Sequence, residues 1–508
     1  MAEKTPKLQI KEFLRHTLKK CRLSFNFTIE IVIVMMYNPG VYIELIPALY
    51  RRDSNMIIDS KLLDLKNMHQ WEVYSRSLET ELRQCTDEGR DVSKYADVVK
   101  AVSAMPLDAT REDLADVLFK ALTSAPIRED FPYNEPDDID AIRAARPADH
   151  AARKDAPAKD ELRSRIKGAW LGRICGCLLG KPVECWRTPE IIEIAKSQNN
   201  WPLHTYLRYD EDMIRKLGRE SYLGAAWIDK LDGAAPSDDD TNYTSMAALC
   251  IVGKHGRDFT PADVAKEWIA SQPKDAYCTA ERRAFCNFMR GIMPPESATY
   301  KNPDREYIGA QIRADYFGYI NPGDTETAAD MAWRDASISH VKNGIYGEMF
   351  IAAMLARAAV SDDVEDVIRA GLNEIPAASR LAEAINEALD WHAQGLSADE
   401  CFERIHKKYN EFDGYDWVHT ISNAEIVTLC LLFAGDDCAK AICLAVDQGF
   451  DTDCNGATVG SIIGMMKGEN VLSEEWTKPL CGKLRTGIFG HDVVSIEDMV
   501  DLTMKHMA

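Results

Sequence analysis

The chain has 508 residues, 46% of them hydrophobic, and a formal net charge of −21 at pH 7. That length asks for two or three domains, and the apolar fraction is too high for a disordered chain. So acidic a surface argues against nucleic acid or an anionic membrane as a general partner, while leaving room for a small anionic ligand held through a metal. The 14 cysteines show no paired metal-ligand spacing, since Cys175-Gly176-Cys177 is C-x-C with no His-x-x-x-His beside it. They read as reduced thiols in a cytoplasmic core. Met1-Ala2-Glu3-Lys4 leads into charged residues, so no signal peptide is expected. The most apolar run, Ile31 to Tyr37, is far short of the roughly 20 residues a membrane helix needs.

Taken in order, residues 1 to about 20 place Leu8, Ile10, Phe13, Leu14 and Leu18 among basic residues, the pattern of a short amphipathic helix. Phe25 to Met36 is β-branched and ends at Tyr37-Asn38-Pro39-Gly40, a strand followed by a turn. Short mixed elements are expected over 41–49 and 57–65. From Trp71 to Leu122 the apolar period is helical. The Ala-, Pro-, Lys- and Asp-rich stretch from Arg146 to Asp160 offers little to bury and reads as a linker or exposed bridge. A boundary near residue 155 would leave an N-terminal accessory domain of mixed α/β character over 1–155, with no recognisable chemistry, and a second domain over 156–508.

Beyond Leu162 nearly every segment reads as helix, and nothing alternates at period two. Expected helices cover 162–180, 242–252, 261–271, 280–291, 325–335, 347–359, 364–372, 379–394, 398–408, 421–433, 439–448 and 455–466, with a connector over 337–346. The run 421–433 is apolar nearly all round and should be a central core helix. The first of these helices carries Gly168, Gly172, Gly176 and Gly180 on one stripe. Each glycine costs about 1 kcal/mol against alanine in a helix interior, so four at that spacing imply a close helix crossing or a close ligand approach. Gly456, Gly460 and Gly464 repeat the spacing near the C-terminus. The expected architecture is an all-α, many-helix bundle.

Two acidic stretches stand at helix starts. One is Ser237-Asp238-Asp239-Asp240-Thr241; the other is Gly449-Phe450-Asp451-Thr452-Asp453-Cys454. A single aspartate is explained as an N-cap at the positive end of a helix dipole. Three in succession repel one another, and a second cluster at a second helix start makes a shared purpose the better reading. Mg²⁺ takes octahedral oxygen coordination from a few carboxylates, water and substrate oxygens. Two such cations about 3.5–4 Å apart would occupy five carboxylates without leaving charge unpaired. His419, Asn321, Asp324, Trp170 and Trp333 carry plainer readings as packing or turn residues.

These motifs resemble the ADP-ribosylglycohydrolase family over residues from about 160 to the end. The resemblance rests on Gly168-Ala169, Gly172, Gly176 and Gly180 followed by Glu184, on Asp238-Asp239-Asp240-Thr241, and on Gly449 to Cys454. It implies an all-α orthogonal multi-helix bundle with a binuclear Mg²⁺ centre, Mn²⁺ being possible, and hydrolysis of the glycosidic bond of an ADP-ribosyl group. Asp239, Asp240, Asp451 and Asp453 match carboxylate ligands. Asp238 stands where the family often has a hydroxyl ligand, and Cys454 where it often has threonine. A thiol is a poor Mg²⁺ ligand, so Asp238 would supply the missing oxygen. Glu184 matches a glutamate near the substrate ribose and, with Asp239, is the candidate catalytic residue. His340, Asn343, Gly344 and Tyr346 fall where the family lines its substrate cleft. The partner implied is an ADP-ribosylated protein or a small ribosyl compound. A glycosidase for another, nucleoside-like ribosyl compound and a non-catalytic ADP-ribose-binding protein fit the same residues.

Overall fold

The computed structural model describes residues 64–148 and 153–507, and over these residues the protein is all-α apart from one small hairpin. Strands β1 (Lys483–Arg485) and β2 (Val493–Ser495) pair antiparallel with Lys483 opposite Ser495. At three residues each they are too short to show an alternating pattern, and the sequence did not signal them. The helix and strand expected within residues 1–36 lie outside the described residues. No helix of the described residues is long and apolar enough to cross a membrane.

The helices that place the site are, in chain order, α1 (Leu78–Asp87), α2 (Lys159–Gly180), α3 (Asp239–Met246), α4 (Thr279–Met289), α5 (Asn343–Ala358), α6 (Thr420–Ala434), α7 (Cys438–Asp447) and α8 (Thr452–Lys467). Helix α5 is buried along its whole length, and α6 from Thr420 to Leu431. Both are core helices, as their all-round apolar sequences require. One boundary moved in a way that matters. The connector expected over 337–346 ends early, because Asn343, Gly344 and Tyr346 belong to the first turn of α5. Helix α3 ends at Met246 and continues as a π-helical turn over Ala247–Val252.

The glycine stripe of α2 meets the glycine stripe of α8. A Cβ on Gly168, Gly172 or Gly176 would overlap the backbone carbonyl of Gly464, Gly460 or Gly456, and the reverse holds for each partner. The two helices therefore run antiparallel in backbone contact, which only glycine on both faces permits. At the end of the seam Gly180 abuts the backbone of Thr452 and Asp453, and Thr452 Oγ1 donates to the Gly180 carbonyl at 3.0 Å. The seam thus joins the C-terminus of α2 to the N-terminus of α8, the two ends that carry Glu184 and the second acidic stretch.

Residues Leu63–Ala508 form one compact unit. Within it, residues 74–125 gather a small hydrophobic cluster of their own around Leu78, Val99, Leu118 and Leu122. Their union with the main core is polar: Arg305 donates to Glu88 at 2.6 Å and to Glu81 at 2.7 Å, and Gln84 donates to Glu306 at 2.7 Å. The stretch expected as a linker is tied down where it is described, through Arg153 to Asp324 and Lys154 to Asp366.

Candidate active site

The two acidic stretches converge. One side-chain oxygen of Asp240, one of Asp453 and the Cys454 sulfur all lie within 4.8 Å of one another. So do ligand atoms of Cys177, Asp238 and Asp240. Asp240, from the first stretch, is common to both groups, and Asp453 comes from the second.

Local structure explains how each carboxylate is presented. Asp238 is the N-cap of α3, with its Oδ1 accepting from the Asp240 N–H at 3.0 Å. It is the one aspartate of the five with a capping role. Asp451 occupies the N-cap position of α8 but makes no side-chain capping bond, and its carboxylate feels the charges of Asp453 and Glu184. The turn before it has two residues in the left-handed region, Gly449 at φ +65° and Phe450 at φ +53°. Gly449 also lies where a Cβ would meet Glu411 and Thr188. Asn423 of α6 secures the turn by accepting from the Asp451 N–H at 3.2 Å and from Asn455 Nδ2 at 2.7 Å.

The cluster holds far more negative than positive charge. Six carboxylates, from Glu184, Asp238, Asp239, Asp240, Asp451 and Asp453, meet two cationic side chains, Arg173 and Lys181. Arg173 is fully buried on α2. It donates to Asp240 Oδ1 at 3.1 Å and to the Asp240 carbonyl at 2.9 Å, and pairs with Asp315 at 2.9 Å. Lys181, one residue past α2, forms an ion pair with Asp238 Oδ2. Burial opposes the charge of Asp238, but Lys181 outweighs it and holds that carboxyl below its usual range. The others move the opposite way. Burial first, and then neighbouring carboxylates, push Asp239, Asp240 and Asp451 well up, against the pull of Arg173 on Asp240. Asp453 rises to about 6 for the same reasons. For Glu184 the charge of Asp453 is the largest cause and burial the next.

Two oxygens state the deficit most directly. Asp240 Oδ2 and Asp453 Oδ1 are buried without a hydrogen-bond partner, on residues 0% and 1% exposed. A buried carboxylate oxygen without a donor is costly. These oxygens, with Asp239 half-buried beside them, are a donor set that fits a divalent cation.

The four residues expected to line a cleft, His340, Asn343, Gly344 and Tyr346, are all buried. Asn343 is fully buried: its Nδ2 donates to Glu135 and Glu306, and its Oδ1 accepts from the Leu381 N–H. Tyr346 donates to the Pro136 carbonyl. Gly344 packs against the Arg305 carbonyl and the His340 ring. His340 is buried with Nδ1 against Ser339 Oγ at 2.8 Å, while Nε2 lies 4.0 Å from Glu281 and makes no hydrogen bond. Glu281, on α4, is among the charges that act on Asp239, so His340 stands one side chain back from the cluster.

Sequence reasoning missed Arg173, Lys181 and Asn423. Arg173 had a usable signal, the single basic residue within the glycine-striped part of α2, Gly168 to Gly180. Lys181 precedes Pro182, and in the sequence the pair signals no more than a helix stop. Among the described residues, a cavity of about 860 Å³ lies between α1 and the region of α6, lined by Arg83, Arg380, Trp391, Tyr415 and His419 among others and by none of the six carboxylates. Its charges are largely paired within its own walls, Arg83 with Asp416 and Lys408 with Glu387. It is therefore a weaker candidate for chemistry than the frustrated cluster.

The model of the ADP-ribosylglycohydrolase family matches residues 158–505. No curated protein matches the chain. One solved structure that matches, an ADP-ribosylglycohydrolase-related protein complex, is 17% identical, covers 68% of this chain and 98% of its own, and superposes with a TM-score of 0.42.

Proposed function

Because the chain belongs to the ADP-ribosylglycohydrolase family, we propose that it hydrolyses the glycosidic bond at the anomeric carbon of an ADP-ribosyl group carried by a protein or a small molecule. One observation carries the reading: Asp240 and Asp453, from the two acidic stretches, each bring a side-chain oxygen into one grouping beside Glu184, and each has a buried oxygen without a hydrogen-bond partner. In this reading Asp239, Asp240, Asp451 and Asp453 hold divalent cations, Mg²⁺ or Mn²⁺, and Asp238 borders them while paired with Lys181. When bound, such ions would fix ribose hydroxyls and offset the negative charge of the cluster.

The chain's own residues supply the rest. Cleavage passes through an oxocarbenium-like state at the anomeric carbon, which a ring of carboxylates favours by field alone. Glu184 is half-buried at the end of the glycine seam, beside Asp453, where its carboxylate can orient a water and take its proton. Asp239, also half-buried, is the second candidate for that role. Arg173 fixes Asp240 in place, so the cluster is preorganised before substrate arrives. His340 stands behind Glu281, 4.0 Å from it. Asn343, Gly344 and Tyr346 anchor α5.

The test is release of ADP-ribose from Arg-linked and Ser-linked ADP-ribosylated substrates, with Mg²⁺ and after chelation, by wild type and Asp451→Ala. Release that needs the cation and is lost in the variant is the expected result, and it names the linkage. No release from either linkage, from a protein that still binds the cation, would overturn the reading in favour of another ribosyl compound.

A further inference from the structure

The acidic cluster also contains sulfur. Cys454 is 6% exposed in the first turn of α8, and its Sγ shares the 4.8 Å grouping with Asp240 and Asp453. Ligands held 2.0–2.3 Å from a common ion stand no more than about twice that distance apart. Asp240 and Asp453 each bring a buried oxygen with no hydrogen-bond partner. The glycine seam fixes the backbone that carries them, because Gly180 abuts Thr452 and Asp453 directly. The grouping of Cys177 with Asp238 and Asp240 differs: Lys181 already sits on Asp238, so the chain supplies that position's cation itself.

We propose that Cys454 is a metal ligand, and that the seat formed by Asp240, Asp453 and Cys454 selects a borderline divalent cation of the zinc class over Mg²⁺. The proposal rests on the reading of this cluster as a cation centre and departs from it at one seat, where an ion of the zinc class replaces Mg²⁺ or Mn²⁺. Mg²⁺ demands six oxygens in near-ideal octahedral geometry and gives up water reluctantly. A site of one sulfur and two carboxylates offers it a poor set, whereas Zn²⁺ accepts sulfur and oxygen together. Three protein ligands leave a fourth position open, as in catalytic rather than structural zinc sites.

The experiment titrates metal-free full-length protein with Co²⁺, recording thiolate-to-cobalt charge-transfer absorption in the near ultraviolet alongside binding by calorimetry. The band is expected in wild type and in C177S, and is expected to vanish in C454S and C454T. Zn²⁺ affinity should fall in both Cys454 variants by at least the roughly 10–100-fold that loss of a metal's outer-shell partner costs, while Mg²⁺ affinity holds or rises, most in C454T. Co²⁺ bound without the band, a band that survives in C454S, or Mg²⁺ bound as tightly as Zn²⁺ by wild type would each overturn the proposal. Circular dichroism of the two variants separates loss of a ligand from loss of fold. None of these readouts needs turnover. A band with no hydrolysis of any ribosyl substrate would sink the hydrolase reading alone, and hydrolysis with no band would sink this proposal alone.

Discussion

Two of the groups of charge buried among the described residues are built on opposite plans. Where residues 74–137 meet the main core, Glu81 and Glu88 are matched by Arg305, and Glu135 and Glu306 by Arg380, at 2.6–2.8 Å. Burial works against Glu88 and Glu306, but the arginines outweigh it, holding Glu88 below its usual range and Glu306 down at about 2. At the acidic cluster the balance fails: Glu184, Asp239, Asp240 and Asp451 are all pushed up, and two oxygens have no donor. A satisfied network holds parts together. A frustrated one persists only where something outside the chain completes it.

That contrast can be broken most sharply at the cluster itself. Asp453→Asn should lower ADP-ribose release by roughly 10³-fold or more, several kcal/mol of transition-state stabilisation. Metal-free, it should unfold in denaturant no more readily than wild type, because a repelled buried charge has gone. A metal-free variant clearly less stable than wild type would place Asp453 with the structural pairs instead. Arg305→Ala is the converse, since it strands Glu81 and Glu88 without their partner. A loss of about 3–5 kcal/mol in chemical unfolding is expected, with cation affinity of the surviving folded fraction unchanged in calorimetry.

Gly172→Ala tests the seam that brings the cluster together. Its Cβ would meet the Gly460 carbonyl, so about 1–3 kcal/mol of stability should be lost to overpacking. Cation affinity should weaken with it, as the N-terminus of α8 shifts from Glu184. Unchanged affinity would mean that the seam is structural only.

The smallest effect concerns Asp447, at the end of α7, a single buried carboxyl belonging to neither group. Burial raises it to about 7 against the Leu203 N–H it accepts. With its folded pKa above the unfolded value of 3.8, its contribution is full below about pH 4 and is lost as pH rises through 7. Asp447→Asn should remove about 1–2 kcal/mol of that decline. Urea midpoints read between pH 4 and 8 check it, and an unaltered slope would refute it. Glu306, depressed to about 2 from 4.5, has the opposite sign: its contribution is present above pH 4.5 and lost as pH falls through 2.

Most helices were legible because their apolar period is strong; those at 261–271, 364–372 and 398–408 agree residue for residue. The glycine stripes were legible as close approach, since no local reason favours four glycines in a helix. The carboxylates were legible because capping explains one aspartate and not five. Periodicity placed the start of α5 four residues late. Asn343 and Gly344 do not extend an apolar stripe, and the turn is held by long-range bonds from Glu306 and Glu135.

Local chemistry, then, fixed the inventory: a helical frame, two glycine faces and two acidic stretches. Tertiary structure alone decided what met what. It set the glycine faces against each other, because only backbone contact in three dimensions reveals the partner of a stripe. It gave Asp238 to Lys181 and Asp240 to Arg173, pairs separated by 57 and 67 residues that no spacing rule connects. It left Asp240, Asp453 and Cys454 facing one point with their oxygens unsatisfied, because burial, which turns a run of aspartates into a cation site, is a property of the packed chain.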